Sequence, residues 1–579
     1  MRTHKCDVLV IGAGGTGLRA AIEARVYGAS VIVVDKGMAG RSGTTRAAAS
    51  DWMAFGAAFG HADPKDSPEE HWIDIMVKGG LLCRPELCRR IAYEAPARFQ
   101  DLEKWGADFH KTPDGKFVQI LSDGARFPRA CGKGSDTGPV IIRTLLNRAK
   151  GLGIELLNNI MVADLITEDS RISGCWGVDL GTGELVTFQT RAVILATGGA
   201  GRLYEINVFP AGMTGDGYAM AYRAGAKLTN MEFIQIGPSI VHPVHFALSG
   251  VFWRLNPRIT NINDEVFIPR YIPEGIDIKK AIYIKGVSYP FTIRNESKWV
   301  DIAVFTEIAE GRGTENRGVY MDISHNAPDV IETKAKVPFD YLLKHGIDLR
   351  KDRIEFAPAV QHFNGGILIN ERAETDIQGL FAAGETAGGQ HGADRPGGNA
   401  LADSQVYGKI SGENAARYAH ETRAHPSSVD LTVRAKEAYA GLAKGRRRGR
   451  FIKDRIKELQ WMMWKNVSVI REEVGLNETL DRIKKLRDEI NGEGAEEPKA
   501  YLEYRNMLDV SLMVTQSALL RDESRGTHYR ADSNKVNADE WLKQIVLRQG
   551  GQDGIKVELT PIEIPDELKP LKDMIEGRR

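Results

Sequence analysis

The chain has 579 residues, of which 42% are hydrophobic and 27% are charged, and its 77 Lys and Arg residues balance 77 Asp and Glu residues. This length exceeds a single simple core, and we expect roughly two to four domains. The balanced charge provides no overall field that would attract nucleic acid or an anionic membrane, so neither is expected as a direct partner.

The cysteine pattern indicates a reducing compartment. The chain has five cysteines and no CxxC pair, and the odd number argues against a disulfide framework. A cytoplasmic location fits this pattern, and the sequence offers no ligand set for a metal ion or an iron–sulfur cluster. No apolar run approaches the ~20 residues that a membrane helix requires. We therefore expect no direct membrane span, and any membrane association through a partner.

The first predicted elements are a strand, a glycine turn and a helix. Residues 6–11 are apolar and β-branched, as in a strand buried on both faces, and LRAAIEARVYG (18–28) is typical of a helix. The turn between them contains Gly12, Gly14 and Gly17 in the spacing GxGxxG. Glycines at these positions let the backbone approach a pyrophosphate, whose charge the helix N-terminus stabilises.

A second predicted strand, SVIVVD, ends in Asp35, at the distance expected for an acid that accepts a hydrogen bond from a ribose hydroxyl. GxGxxG alone is a weak signal, because glycine-rich turns are common. Its place between two buried strands, with an acid at the end of the second, favours nucleotide binding over a structural turn.

Further glycine-rich and hydroxyl-rich segments follow far along the chain. They are GMAGRSGTTRAAASDW (37–52), RAVILATGGAG (191–201), GMTGDGYAMAYRAGA (212–226) and DIQGLFAAGETAGG (376–389). Contacts dispersed this widely favour FAD, which is longer than NAD and extends its ring system into a second region.

The C-terminal part of the chain has a helical pattern. Apolar residues recur at helical spacing in 450–475, 477–490 and 501–526. The final segment, LTPIEIPDELKPLKDMIEGRR, carries prolines and charges, and we expect it to pack loosely on the surface or on another subunit.

Long motifs extend over nearly the whole sequence. They include RACGKGSDTG (129–138), EIAEGRG (307–313), GLFAAGETAGGQHGADRPGGNAL (379–401) and ALLRDESRGTHYRADSN (518–534). With the N-terminal fingerprint, they resemble the flavoprotein subunits of succinate dehydrogenase and fumarate reductase, a family that includes L-aspartate oxidase and the alpha chain of adenylylsulfate reductase.

The resemblance implies an α/β fold. It consists of a Rossmann-like FAD-binding domain, an inserted α+β capping domain and a C-terminal helical domain. The expected boundaries are 1–225 and 346–425 for the FAD-binding domain, 226–345 for the capping domain, 426–550 for the helical domain and 551–579 for a tail.

The resemblance also implies the cofactor contacts. The glycines of the fingerprint would line the pyrophosphate, Asp35 would hold the ribose, and Glu385 would face the flavin. The predicted cofactor-binding residues are Gly12, Gly14, Gly17, Asp35, Lys36, Ser42, Gly43, Thr44, Ala196, Thr197, Gly198, Asp216, Glu385, Asn399, Ala400 and Leu401.

The mode of FAD attachment departs from many relatives. Those relatives bind FAD covalently through a histidine in an SHT motif, whereas the corresponding residues here are Ser42, Gly43 and Thr44. Glycine has no side chain to which flavin could be attached. We therefore expect noncovalent FAD.

Arg395 matches the arginine that holds a substrate carboxylate in this family. A planar guanidinium suits that role because it donates two parallel hydrogen bonds to one carboxylate. The alternative is a structural ion pair, for example with Asp394.

The segment FAPAVQHFNGGILIN (356–370) differs from the family pattern P-x-x-H-Y-x-x-G-G. Gln361 occupies the position of the substrate-binding histidine, and His362 follows one residue later. Neighbouring side chains of an extended strand point to opposite faces. We therefore expect Gln361 to face the substrate, and His362 either to contact the flavin or to pack in the core. His391 is a further candidate proton donor, or a structural support for Arg395.

Two more family residues are replaced in the capping domain. Gly237 occupies the position of a second substrate histidine, and Ile302 occupies the position of the arginine that donates a proton. A positioned acid typically contributes about 10²- to 10⁴-fold to such a step, so we do not expect efficient succinate or fumarate turnover. The candidate replacements are Arg254, Arg258, Arg294 and Lys298, although each also fits a surface or packing role. The segment 271–297 is longer than in relatives, and we expect it to add strands to the capping domain.

These features predict an FAD-dependent oxidoreductase that transfers hydride between FAD and a small organic acid other than succinate. Its electrons would be exchanged with an iron–sulfur partner or a soluble acceptor. Two alternatives stay open. One is adenylylsulfate-reductase-like chemistry at flavin N5, and the other is an electron-transfer subunit of a larger complex with a degenerate substrate site.

Overall fold

The computed structural model describes residues 1–48, 50, 52–248, 250–422, 428–443, 449–491, 497–550 and 554–575. Parts of the predicted loop 37–52, of the predicted helical domain and of the predicted tail lie outside these ranges. Among the described residues, no helix combines the length and the apolar composition needed to cross a membrane.

The first sheet is built around the buried N-terminal strand. Strand Arg2–Ile11 runs parallel to Val31–Asp35 on one side and to Leu185–Leu195 on the other, and helix Gly15–Val26 connects the first two strands. The predicted strand–helix–strand start is thus confirmed. The order across the sheet is Glu155–Asn158, Val31–Asp35, Arg2–Ile11, Leu185–Leu195, Arg171–Asp179 and Ile160–Glu168, with Leu380–Ala382 pairing with Leu185–Leu195.

The direction of these strands gathers the glycine turns. Strands Arg2–Ile11, Leu185–Leu195 and Leu380–Ala382 are parallel, so their carboxyl ends lie at one edge of the sheet. The turns that follow them therefore meet at this edge, where open α/β sheets bind ligands.

A second, antiparallel sheet forms the centre of the capping region. Its strands, in order, are Phe246–Ala247, Ile234–His242, Ile354–Phe363, Val319–Asp322 and Arg258–Thr260. Strand Ile354–Phe363 falls in the second FAD-binding segment of the predicted boundaries, yet it pairs with Ile234–His242. It therefore links the capping region to the edge where the turns meet.

The long segment 271–297 contains a helix and no strand, so the expectation that it adds strands is wrong. The helix is Ile278–Lys285, and the side chain of Asp277 caps it by accepting hydrogen bonds from the main-chain N–H groups of Lys279 and Lys280. An N-cap of this kind satisfies otherwise unpaired donors and starts a helix locally.

A third sheet joins distant parts of the chain. Its order is Ala387–Gly388, Gly366–Leu368, Leu228–Thr229, Lys543–Gln549 and Ile555–Pro561. The last strand belongs to the predicted tail. It pairs along its backbone with Lys543–Gln549, while most of its side chains are exposed.

The predicted helical region is confirmed by four helices, Ser428–Ala443, Gly449–Val467, Glu473–Asn491 and Pro498–Leu520. The remaining helices are Thr44–Ala47, Pro68–Lys78, Pro85–Lys104, Thr137–Gly151, Asp216–Arg223, Gly250–Arg254, Lys298–Ala309, Pro328–Lys334, Lys336–Lys344, Asn399–Glu421, Ala538–Trp541 and Pro570–Ile575. Short 3₁₀ helices are Gly201–Leu203, Ile268–Arg270, Gly384–Thr386 and Asp566–Leu568, and Phe55–Gly56 pairs with Ala130–Cys131.

A buried cluster of charges ties the C-terminal region to the first half of the chain. Oε1 of Glu523 accepts hydrogen bonds from Nη1 of Arg521 (2.9 Å) and Nε of Arg525 (2.7 Å), and all three residues are buried. Nε of Arg521 also donates to Oε1 of the buried Glu232 at 2.7 Å. Removing one partner of such a cluster leaves a buried charge without compensation.

We therefore expect Glu523→Ala to lower the free energy of unfolding by about 3–5 kcal/mol, because the buried Arg525 loses its carboxylate and the buried Arg521 loses one of its two. Urea denaturation measures this loss. Asp340→Ala is the matched control, since it breaks an exposed ion pair with Lys336 and should cost less than about 1 kcal/mol. Equal effects of the two substitutions would contradict a structural role for the cluster.

Candidate functional site

A cavity of about 730 Å³ lies where the glycine turns meet, and residues of the capping region also line it. Most predicted site residues line this cavity. They are Gly12, Gly14, Asp35, Lys36, Ser42, Gly43, Thr44, Ala196, Thr197, Gly198, Asp216, Gln361, His362, Glu385, Arg395, Ala400 and Leu401. Gly17, His391 and Asn399 are not among the lining residues.

The N-terminal turn has the shape of a phosphate cradle. A Cβ on Gly17 would lie 1.8 Å from the carbonyl oxygen of Gly12, and a Cβ on Gly12 would lie 2.3 Å from the carbonyl oxygen of Ala196. Packing within the protein thus requires both glycines. A Cβ on Gly14 would meet no atom of the described residues within 4 Å. Glycine at this cavity-lining position therefore leaves room for the close approach of a ligand.

Asp35 holds the turn in place. Its Oδ2 accepts a hydrogen bond from the main-chain N–H of Ala13 at 2.8 Å, and its Oδ1 accepts from the N–H of Gly37 at 2.7 Å and from Oγ of Ser42 at 2.9 Å. The carboxylate therefore fixes two loops that line the cavity. Its contact with a ribose stays a prediction.

Lys36 and Asp216 form an ion pair at the cavity wall. Nζ of Lys36 lies 2.7 Å from Oδ2 of Asp216 and 2.8 Å from Oε1 of Glu503. Burial opposes the charged form, but the two carboxylates hold the pKa of Lys36 above its ordinary value. Glu503 lies on helix Pro498–Leu520 and was not predicted, because only the fold brings that helix to the turn.

Glu385 lies on the turn after strand Leu380–Ala382. Its Oε1 accepts a hydrogen bond from the main-chain N–H of Phe363 at 2.9 Å. Burial raises the pKa of Glu385 to about 7, although the N–H of Phe363 and the charge of Arg395 oppose this shift. The group therefore changes its charge near neutral pH.

Among the described residues, the hydrogen-bond acceptors of the Arg395 guanidinium are neutral groups. Its Nη2 donates to Oε1 of Gln235 at 2.7 Å, its Nη1 donates to the carbonyl oxygen of Pro396 at 2.9 Å, and its buried Nε has no hydrogen-bond partner among the described residues. Asp394 accepts a hydrogen bond from the main-chain N–H of Arg395, and its other oxygen pairs with Nζ of Lys78 at 2.9 Å. Asp394 is thus bonded to the main chain of Arg395 and not to its guanidinium, although burial lowers the pKa of Arg395 and the charge of Asp394 opposes this shift.

Gln235 connects these groups and was not predicted. The side chain is buried, and its Nε2 donates to Oδ1 of Asp394 at 2.9 Å. Its Oε1 accepts from Arg395 and also from Nε2 of Gln361 at 3.1 Å. Nothing in the local sequence IQIGPSI marks Gln235 as the centre of a hydrogen-bond network, because all three partners come from distant segments.

A β-bulge brings Gln361 and His362 to the same cavity. In the pairing with strand Ile234–His242, Gln235 lies opposite His362 and Ile236 lies opposite Val360, so Gln361 is the extra residue. A bulge re-aims side chains and interrupts their alternation. Both residues line the cavity, so simple alternation along the strand does not separate their surroundings, and the role of Gln361 towards a substrate stays a prediction.

His362 belongs to a buried group of polar side chains. Its ring lies edge-on to that of His391, with 5.5 Å between the ring centroids, and Nε2 of His391 is 3.6 Å from Oδ2 of Asp403. Burial, Arg395 and His391 hold the pKa of His362 well below its ordinary value. His362 is therefore neutral, and His391 lies behind it rather than at the cavity wall.

Asn399 also lies behind the cavity wall. Its Oδ1 is 2.9 Å from Nε2 of His71, and both residues are buried. Its direct contact with the cofactor stays a prediction.

In the capping region, one of the four candidate replacement cations lines the cavity. This residue is Arg254, whose Nη2 donates to the carbonyl oxygen of Gly286 at 3.2 Å. The other three candidates, Arg258, Arg294 and Lys298, do not line it. Ile302 is buried in helix Lys298–Ala309. Tyr289, which was not predicted, lines the cavity.

Comparisons with known proteins match both halves of the chain. Residues 7–401 match the family model described as FAD binding domain, and residues 456–573 match the one described as fumarate reductase flavoprotein C-term. The chain is 37% identical to a fumarate reductase (CoM/CoB) subunit from Methanothermobacter marburgensis, with 94% of this chain and 97% of that protein covered. It is 30% identical to the chloroplastic L-aspartate oxidase of Arabidopsis thaliana, with 94% and 84% covered.

A solved structure agrees with these relatives. Sdh1 of Mycobacterium smegmatis superimposes with a TM-score of 0.88 at 31% identity, with 100% of this chain and 98% of that chain covered. The expected fold class, with its FAD-binding domain and C-terminal helical domain, is confirmed. The chain belongs to the family of FAD-dependent oxidoreductases that comprises the flavoprotein subunits of fumarate reductase and succinate dehydrogenase.

Proposed function

We propose that this protein transfers hydride between noncovalently bound FAD and a small carboxylate-bearing acid other than succinate. FAD supplies the two-electron chemistry when it is bound. The protein's own residues bind the cofactor, hold the carboxylate and manage the proton that accompanies the hydride.

The cavity fits FAD on the protein side. The turn at Gly12 and Gly14 and the start of helix Gly15–Val26 would hold the pyrophosphate, since a helix N-terminus stabilises phosphate charge. Asp35 would hold the ribose, and the turn at Glu385 would face the flavin. Among the described residues, a Cβ on Gly43 would have Cα of Gly14, at 3.5 Å, as its single neighbour within 4 Å, so their packing does not exclude a side chain there. Because Gly43 has no side chain to which the flavin could be linked, noncovalent binding is supported.

The observation that carries the proposal is that the Arg395 guanidinium donates to neutral acceptors, while carboxylates such as Asp394 and Glu385 act on its charge only from a distance. Buried charges are normally paired, yet among the described residues no carboxylate forms an ion pair with this guanidinium, and its Nε has no acceptor. An anion bound in the cavity would form an ion pair with the guanidinium and would accept a hydrogen bond from Nε. Because a guanidinium donates two parallel hydrogen bonds to a carboxylate, a carboxylic acid is the ligand that this geometry favours.

The surroundings of Arg395 support a substrate other than succinate. At the positions of the family's two histidines, this chain has the amide side chain of Gln361 and Gly237, which has no side chain. At the position of the family's arginine it has Ile302, which does not line the cavity. The second end of the substrate therefore meets a surface different from that of the succinate enzymes.

We also propose that electrons reach or leave the flavin through an iron–sulfur partner. Support comes from the names of the relatives, several of which are described as fumarate reductase subunits rather than as whole enzymes. A cytoplasmic location is part of this proposal and rests on the cysteine composition.

Arg395→Lys should weaken binding of the preferred acid by about 100-fold, since two charge-assisted hydrogen bonds of about 1.5 kcal/mol each are lost or distorted. The affinity is measured from the change in flavin absorbance during titration with a panel of small mono- and dicarboxylic acids. Flavin content should stay at the wild-type level, because Arg395 holds the substrate.

Arg258→Lys is the control for this titration, as Arg258 is an exposed arginine of the same region paired with Asp264. It should leave every affinity unchanged. If wild-type protein binds none of the acids, the proposed substrate class is wrong. Bleaching of the flavin by sulfite would then favour the sulfur chemistry, and reduction only by a copurifying iron–sulfur protein would favour the electron-transfer role.

Denaturation followed by ultrafiltration should release all of the flavin into the filtrate, because Gly43 has no side chain that could form a covalent bond to it. The measurement is the visible absorbance of the filtrate and of the retained protein. Flavin absorbance that stays with the denatured chain would refute noncovalent binding.

Glu385 should make stability depend on pH. Its pKa is about 7 in the folded protein against an ordinary value of 4.5, so its contribution is fully present below pH 4.5 and is lost as the pH rises through 7. Across this window the free energy of unfolding should fall by up to about 3 kcal/mol relative to Glu385→Gln. Urea denaturation of the holoprotein at successive pH values measures the slope. Glu371→Gln, at an exposed site, should keep the wild-type slope; a wild-type slope in Glu385→Gln would contradict the assignment.

A further inference from the structure

We propose that Tyr289 is a further catalytic residue, whose phenol hydroxyl exchanges the proton that accompanies hydride transfer to or from the acid. This inference rests on the proposed function. It assigns a proton donor to a site in which isoleucine stands at the family's donor position.

Tyr289 lies within the long segment 271–297, shortly after helix Ile278–Lys285. Its side chain is partly buried and lines the same cavity as Gln361, His362 and Arg395. The hydroxyl donates a hydrogen bond to the carbonyl oxygen of Pro238 at 3.0 Å. The capping region therefore holds a phenol against the strand that carries Gln235.

The absence of a side chain at Gly237 makes room for this ring. A Cβ on Gly237 would lie 2.8 Å from Cε1 and 2.9 Å from Cζ of Tyr289, and 2.7 Å from Oε1 of Gln361. The tyrosine ring and the glutamine amide thus meet over the same backbone position. Gln361 in turn donates to Gln235, which orients Arg395. Gln361 and Gln235 therefore connect Tyr289 to Arg395, which would hold the carboxylate.

Several other ionisable side chains that line the cavity have contacts or proposed roles of their own. Asp123 pairs with Nζ of Lys78 at 3.0 Å, Glu385 accepts from the main chain of Phe363, and Arg395 would hold the carboxylate. His362 is neutral, because burial and its cationic neighbour disfavour protonation. Arg254 donates to the carbonyl of Gly286 and so braces the turn that leads to Tyr289.

The chemistry of a phenol suits the step. In the direction of reduction, one carbon of the acid's double bond gains hydride supplied by reduced flavin, and the neighbouring carbon gains a proton from Oη of Tyr289. The Oη–H bond breaks as the new C–H bond forms, and water returns a proton to the phenolate. Oxidation of the saturated acid follows the same path in reverse. A hydroxyl can do this because its hydrogen rotates from the carbonyl of Pro238 towards the substrate.

The test compares wild-type holoprotein with Tyr289→Phe, which keeps the ring and removes the hydroxyl. The flavin is reduced with dithionite under anaerobic conditions, and its reoxidation by fumarate, mesaconate, crotonate and acrylate is followed by stopped-flow absorbance. Binding of the same acids to the oxidised protein is measured from the flavin spectrum. We expect reoxidation by the best acid to slow by about 10²- to 10⁴-fold, with its affinity and the flavin content unchanged.

Tyr283→Phe is the matched control, since Tyr283 is a tyrosine of the neighbouring helix with 58% of its surface exposed. It should retain the wild-type rate. Incorporation of 3-fluorotyrosine provides a second measurement, because a more acidic phenol should move the alkaline limb of the reoxidation rate to lower pH. In Tyr289→Phe the fluorinated protein should show no such movement.

The outcomes separate this inference from the proposed function. Reoxidation of Tyr289→Phe at the wild-type rate overturns the role of Tyr289, and so does wild-type protein that binds the acids but is reoxidised by none of them. In both cases the carboxylate site of Arg395 stands. Failure of wild-type protein to bind any of the acids overturns both proposals.

Discussion

The hydrogen bond from Arg395 to Gln235 is the interaction on which the site depends. A carboxylate at position 235 would neutralise the guanidinium, whereas the amide orients it and leaves its charge available. The nearby acid, Asp394, is engaged by Lys78. The guanidinium is thus held by neutral acceptors, and the carboxylates of Asp394 and Glu385 act on its charge without a direct hydrogen bond to it.

The cofactor half of the site was predictable because its signals are local. The buried strand, the glycine spacing and the terminal acid lie within the first 35 residues, and each has a direct structural counterpart in the turn around Gly12. The dispersed turns were predictable for a related reason, since each follows a strand. Parallel strands bring such turns to one edge whatever their separation in the chain.

The part of the site around Arg395 was predicted less well because it depends on contacts between distant segments. The bulge at Gln361 arises from pairing with Ile234–His242, and an alternation rule applied to one strand alone does not reveal it. Gln235 and Tyr289 lie in local sequences without a recognisable motif. Their importance follows from the fold, which places Gln235 against Arg395 and Tyr289 against Gly237. The sequence showed that segment 271–297 is long, but it did not reveal the capped helix within it. It also did not reveal that Tyr289 of this segment packs against Gly237.

Strand Ile354–Phe363 has a mechanical consequence. Its first part is paired within the capping sheet, and its last residues reach the cavity beside Arg395. The capping sheet and the cavity wall at Gln361 and His362 therefore share one continuous strand. Any change in the position of the capping sheet relative to the first sheet would carry these two side chains with it, because a hydrogen-bonded strand resists stretching.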